Sequence, residues 1–133
     1  MNSEVKELVS NFKIFNDWEE KYHFIIELGS YLPTLENEKK NDSNKIIGCV
    51  SQVWLTFKKE HNRFFFYADS DALIVKGLLA IILKICSGKT RCEIENIDFF
   101  NIFNLLGLIN HLSASRSNGL FSVVNKIKRI LEI

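Results

Sequence analysis

Apolar residues recur along this chain with periods that change from helical to alternating and back. Over Glu4–Phe15, Val5, Leu8, Val9 and Phe12 fall at helical spacing and predict a first helix. A second helix is signalled by its start. Asn16 with Glu19, or Asp17 with Glu20, makes a capping box, and Trp18, Tyr22, Ile25 and Leu32 then mark one apolar face. Pro33 is expected to end that helix or nearly so. Glu36–Lys45 is almost wholly polar and reads as an exposed loop.

The period then shortens. Val53, Leu55 and Phe57 alternate within Gln52–Lys58, and Arg63–Ala68 is rich in aromatic residues. With Glu60-His61-Asn62 between them, the two segments predict an antiparallel hairpin. Asp69-Ser70-Asp71 stands before a helix from Ala72 to about Cys86, where carboxylates suit the positive helix start. Leu73, Ile74, Leu78, Leu79, Ile81, Ile82 and Ile85 cover nearly every face of that helix, so it is expected at the buried centre. Gly88 lies in the turn after it. Thr90 and Glu93 form a further capping box for a short helix, and Asp98–Leu106 predicts another, closed by Gly107. A last helix starts near Ser113 or Ser115, with Leu120, Val123, Val124, Ile127 and Leu131 on one stripe. Together these elements predict one α+β domain over residues 1–133, a small antiparallel sheet covered by helices.

Composition narrows the function. Hydrophobic residues make up 47% of the chain and charged residues 25%, which fits neither disorder nor a disulfide scaffold. Seventeen basic against sixteen acidic residues leave a net charge of +1, with no long-range pull toward nucleic acid or anionic lipid. The N-terminus is of mixed charge where a secretory signal needs an apolar run, and Leu78–Leu83 is far short of a membrane span. Three cysteines, Cys49, Cys86 and Cys92, point to free thiols in a reducing compartment, and a cytoplasmic location is expected. No close-spaced Cys/His cluster suggests a metal site, and no glycine-rich phosphate loop or paired carboxylate is evident.

Cys86, near the end of the apolar helix, and Cys92, in the first turn of a short one, read as small apolar filler. Cys49 has a different setting. It follows Gly48, between a polar loop and a strand, and is flanked by Ile46, Ile47, Val50 and Val53. Gly48 lets the chain turn sharply and present the thiol at a loop tip, while the alternative is a core cysteine at a strand start. A hydrolase nucleophile would need a positioned base. His23 and His61 read as solvated, and His111 alone is a weak candidate.

Several blocks resemble the SufE family in order along nearly the whole chain. They are Asn16-Asp17-Trp18-Glu19-Glu20-Lys21-Tyr22 with Ile25–Gly29 and Leu32-Pro33; Gly48-Cys49-Val50-Ser51-Gln52-Val53-Trp54; Asp69-Ser70-Asp71-Ala72 with Ile74–Leu78; and His111–Leu120. The resemblance implies a fold shared with the IscU-type scaffold proteins. It also implies an activity, in which a pyridoxal-phosphate cysteine desulfurase of the SufS type hands a persulfide sulfur to Cys49, and the carrier stimulates that enzyme and passes sulfur on toward iron–sulfur cluster assembly. The pyridoxal phosphate belongs to the desulfurase, and no cofactor or metal is expected here. A downstream iron–sulfur scaffold complex is the second implied partner. An adaptor that activates the desulfurase by binding alone is the alternative, and the motifs do not separate the SufE from the CsdE branch.

The remaining residues each have two readings. Asp71 is either a helix cap or, with Gly48, Ser51 and Gln52, a support of the cysteine loop. Arg116 is either a solvated helix-start residue or, with His111, a contact for the desulfurase or an aid to ionising Cys49. Trp18 and Trp54 read as core, and Lys39 and Lys40 as solvated. Branched neighbours Ile46, Ile47 and Val50 are expected to shelter Cys49 in a tucked loop that swings out on docking.

Overall fold

The protein is described by a computed structural model over residues 2–133. Helices α1 (Ser3–Ile14) and α2 (Trp18–Gly29) open the chain. Of the two capping registers at α2, the Asp17 one forms: Asp17 Oδ1 accepts from the Glu20 N–H at 2.9 Å, and Glu20 Oε2 reaches the Asn16 N–H at 3.2 Å. The helix ends at Gly29, ahead of Pro33, so Leu32 lies beyond it. A single 3-10 turn at Asn37–Lys39 interrupts the polar loop.

Strands β1 (Val53–Glu60) and β2 (Arg63–Ser70) pair antiparallel in the register Val53↔Ser70 through Glu60↔Arg63. The hairpin turn is two residues, His61 and Asn62, both at positive φ (51° and 65°), as a primed turn requires. Glu60 therefore belongs to the strand. Val53 and Leu55 on β1, with Phe64, Phe66 and Ala68 on β2, face the core. Phe57, which the alternation places with them, is exposed instead: the outer half of β1 is the open edge of the sheet, while its partners Phe64 and Phe66 on central β2 stay buried. A two-residue strand β3 (Lys89–Thr90) adds to the far edge of β2. It is too short to show a period, and the sequence pattern does not reveal it.

Helix α3 (Leu73–Cys86) lies at the centre, touching α1, α2, β2 and the last helix. Its approach to α2 is close enough to need glycine on both sides. A Cβ at Gly77 would land on the Ile25 carbonyl, and one at Gly29 would come 2.8 Å from the Gly77 nitrogen. Two expectations for α3 fail. Leu73 is exposed, and its N-cap is Ala72 with no capping side chain. Asp69 and Ser70 instead continue β2, and Asp71 points elsewhere, because the sheet keeps the chain extended up to the helix start.

Helices α4 (Arg91–Glu95), α5 (Phe99–Leu105), α6 (Leu108–His111) and α7 (Ala114–Leu131) complete the fold. The Thr90–Glu93 capping box starts α4, and Ser113 caps α7 by accepting from the Arg116 N–H at 3.3 Å. Leu120, Val123, Val124, Ile127 and Leu131 of α7 are all buried. The α+β expectation of a small antiparallel sheet covered by helices is met. Among the described residues, no helix is long and apolar enough to cross a membrane.

Candidate functional site

Residues 47–52 make a short arch between the polar loop and β1. Its base is clasped. The Ile46 N–H donates to the Val53 carbonyl at 2.8 Å, the Leu55 N–H donates to Asn44 O at 2.8 Å, and Lys45 bridges Trp54. A second clasp comes from the start of α3. Gln52 N–H donates to Asp71 Oδ1 at 3.1 Å, and Asp71 N–H donates to Gln52 O at 3.3 Å. Asp71 thus engages the loop base and does not cap α3.

At the arch tip the chain turns at Ile47–Gly48, with Gly48 at φ +99°, a region that a side chain rarely tolerates. Gly48 also sits against α7, where a Cβ would come 2.8 Å from Ser122 Oγ. The next residue, Cys49, turns its side chain inward, with Sγ 3.8 Å from the Gly119 carbonyl oxygen. At that distance the thiol S–H makes only a weak hydrogen bond.

The thiol is half-buried at the wall of a cavity of about 390 Å³. Helix α3 lines it with Val75, Leu78, Leu79 and Ile82, and α7 with Gly119, Leu120 and Val123. Ser51 of the loop, with Ser113, Ser115 and Arg116 at the start of α7, supplies the polar part. Burial pushes the Cys49 pKa above its ordinary value, because a thiolate is poorly solvated there. The guanidinium of Arg116 lies over the Tyr22 ring, 5.6 Å from its centroid. It lines the cavity, yet burial is the cause that sets the thiol's shift.

The expected shelter is rearranged. Ile46 is buried, but Ile47 is 91% and Val50 86% exposed. The turn at Ile47–Gly48 leaves Ile47 in solvent, and the bend after Cys49 leaves Val50 at the cavity mouth, mostly exposed. Cover for the sulfur comes from α3 and α7, far away in sequence. The loop thus presents an exposed apolar tip, Ile47 and Val50, to solvent.

Other sequence candidates disperse. His111 is exposed and stacks on Trp18, with ring centroids 4.3 Å apart and its Nδ1–H donating to Gly107 O at 2.9 Å. It is not among the residues lining the Cys49 cavity. Trp18 is half-buried and packs against the core as expected, while Trp54 is half-buried outside the core cluster. Lys40, expected in solvent, pairs with Asp69 Oδ2 at 2.8 Å, while Lys76 of α3 approaches Oδ1 at 3.5 Å. Asp69 was thus missed as the anchor that ties the polar loop to β2 and α3. Its burial raises its pKa, but the Lys40 hydrogen bond, the Ser70 N–H and Lys76 outweigh that and leave it lowered. Cys86 is fully buried, and burial pushes its pKa up to about 12. Cys92 is exposed, contrary to its reading as filler, since the outer face of short α4 meets solvent. Among the described residues, no three His, Cys, Asp or Glu side chains gather in a metal-binding group.

The comparisons with known proteins agree on the relationship. The model of the SufE family, described as an Fe-S metabolism associated domain, matches residues 6–131. An uncharacterized SufE-like protein of Rhizobium etli is 45% identical over 126 residues, covering 92% of this chain and 85% of that protein. Another from Rhizobium meliloti is 44% identical over 126 residues, covering 92% and 90%. The solution structure of a hypothetical protein from Thermus thermophilus superposes with a TM-score of 0.79 at 14% identity, covering 97% of this chain and 93% of that one. That likeness concerns the fold alone.

Proposed function

The chain belongs to the SufE family, whose domain is associated with Fe–S metabolism, and from that premise we propose that it is a sulfur carrier working through Cys49. The partner is a cysteine desulfurase that holds sulfur as a persulfide on its own cysteine and keeps the pyridoxal phosphate. In the transfer, the Cys49 thiolate attacks the outer sulfur of that persulfide. A new S–S bond forms on Cys49, the S–S bond on the donor breaks, and the donor cysteine leaves as thiolate. No external oxidant is required. The loaded carrier then passes its outer sulfur to the iron–sulfur assembly machinery.

One observation carries the reading: Cys49 sits at the tip of a short, clasped arch with its sulfur turned into an apolar cavity. This placement suits a carrier. The closed arch disfavours ionisation and shields sulfur from reductants, while the exposed Ile47 and Val50 give a partner an apolar handle on the loop. Docking on that handle would draw the tip outward and let the thiol ionise. Gly48 and Ser51 serve the turn and the cavity mouth, Gln52 and Asp71 the base, and Arg116 lies beside the path.

The competing adaptor reading needs no reactive sulfur. A Cys49→Ser variant separates the two when cysteine turnover by the desulfurase is followed under limiting reductant. Carrier function predicts that stimulation disappears although the variant still binds. Stimulation retained by the serine variant would leave the adaptor.

A further inference from the structure

Gly119 interrupts an 18-residue helix, where glycine costs about 1 kcal/mol against alanine. Packing of α7 does not explain its presence. Outside its own helix backbone, the heavy atom within 4 Å of a Cβ built there is Cys49 Sγ, at 3.7 Å. That is ordinary contact, so alanine would fit beside an empty thiol. Ser115, Gly119 and Ser122 follow one another at helical spacing along α7. Ser115 lines the cavity, Gly119 meets the thiol and Ser122 meets Gly48. The arch tip therefore rides on a face of α7 cut down to small residues.

We infer that Gly119 is a positioning residue for the loaded state: it reserves space beside Cys49 Sγ for the second sulfur of a persulfide. The inference rests on the carrier reading and extends it. The outer sulfur bonds to Sγ at about 2.05 Å, and extended toward the α7 wall it falls inside the contact distance of a methyl group at 119. A side chain at 119 competes for that volume, and a larger one competes with the thiol itself. A loaded cysteine denied this space is pushed toward solvent, where reductants reach it.

The test loads Cys49 without the desulfurase. In a Cys92→Ser background, dithiobis(nitrobenzoate) forms a mixed disulfide on Cys49. Sulfide then attacks Sγ, the bond to the aryl sulfur breaks, and the aromatic thiolate leaves, giving the persulfide. Dithiothreitol is added, and survival of the outer sulfur is followed by intact mass for Gly119, Gly119→Ala and Gly119→Val proteins. The expected result is a stepwise loss of protection, with the Val variant's half-life shortened by about fivefold or more. Thermal unfolding provides the control, since alanine is expected to leave the fold equally or more stable. Equal half-lives in the Gly and Ala proteins, both folded, would overturn the inference. So would a glycine protein whose persulfide decays as fast as one placed on exposed Cys92 in a Cys49→Ser protein. Protection that follows side-chain size, in a protein that accepts no sulfur from any desulfurase, would uphold Gly119 and reject the carrier function.

Discussion

Gln52 and Asp71 are joined through two hydrogen bonds, the Gln52 N–H to Asp71 Oδ1 at 3.1 Å and the Asp71 N–H to Gln52 O at 3.3 Å. Nineteen residues apart in sequence, they fasten the end of the cysteine arch to the start of α3. Asp71→Ala removes one of the two bonds and costs about 1 kcal/mol of stability or less at this exposed position. Its larger effect is on opening of the arch, and Cys49 alkylation by iodoacetamide is expected to rise about three- to fivefold. Asp71→Asn keeps an acceptor oxygen and should stay near wild type. Alkylation unchanged in Asp71→Ala would mean that the base does not govern the tip.

The thiol's raised pKa gives a pH signature. Folding holds the Cys49 proton more tightly, so its contribution to stability is fully present below the unfolded thiol's pKa and is lost as pH rises through the higher folded value. The alkylation rate of Cys49 should therefore climb at higher pH in the folded protein than in the same chain unfolded in urea. Peptide mapping after timed alkylation isolates the Cys49 site in both states. Coincident profiles would contradict a sheltered thiol.

Asp69 titrates in the opposite sense. Its lowered pKa means that the Lys40 and Lys76 clamp stabilises the fold above the unfolded carboxyl's pKa, ordinarily 3.8, and is lost as pH falls through the folded value. Urea unfolding across acid pH should show a shallower loss of stability for Asp69→Asn than for wild type. At neutral pH that variant is less stable, since two lysines lose their counter-charge. Parallel acid profiles would remove Asp69 as an anchor.

Gly77→Ala places a methyl group on the Ile25 carbonyl, which belongs to helix backbone and cannot rotate away. α2 and α3 must separate, at a cost of about 3 kcal/mol or more. Chemical denaturation reads this directly. A change below about 0.5 kcal/mol would show that the two helices are not packed this closely.

Period and capping chemistry made the larger elements legible before any coordinates. The apolar run of α3, the hairpin and the Leu120–Leu131 stripe all follow from residues adjacent in sequence, as does the Thr90–Glu93 box. Features set by distant pairing were not legible. β3 exists because Lys89 and Thr90 meet Phe64 and Arg63, and Asp69 is buried because Lys40 folds back across the sheet. The same division runs through the site. Cys49 stood out from Gly48 and from the resemblance of its neighbours to a family motif, whereas the walls of its cavity come from α3 and α7. The direction in which Ile47 and Val50 face depends on which residue the turn sends inward, and flanking apolar residues do not reveal that. Gly119 carried a weak signal of its own, a glycine inside a strongly periodic helix, without indicating what approached it.

Intact mass spectrometry after incubation with a cysteine desulfurase and cysteine, followed by peptide mapping, addresses the carrier function most directly. The expected result is a gain of one sulfur mass located on Cys49 and absent from Cys49→Ser. Sulfur found on Cys92 instead, or a desulfurase stimulated by a protein that never gains mass, would contradict it.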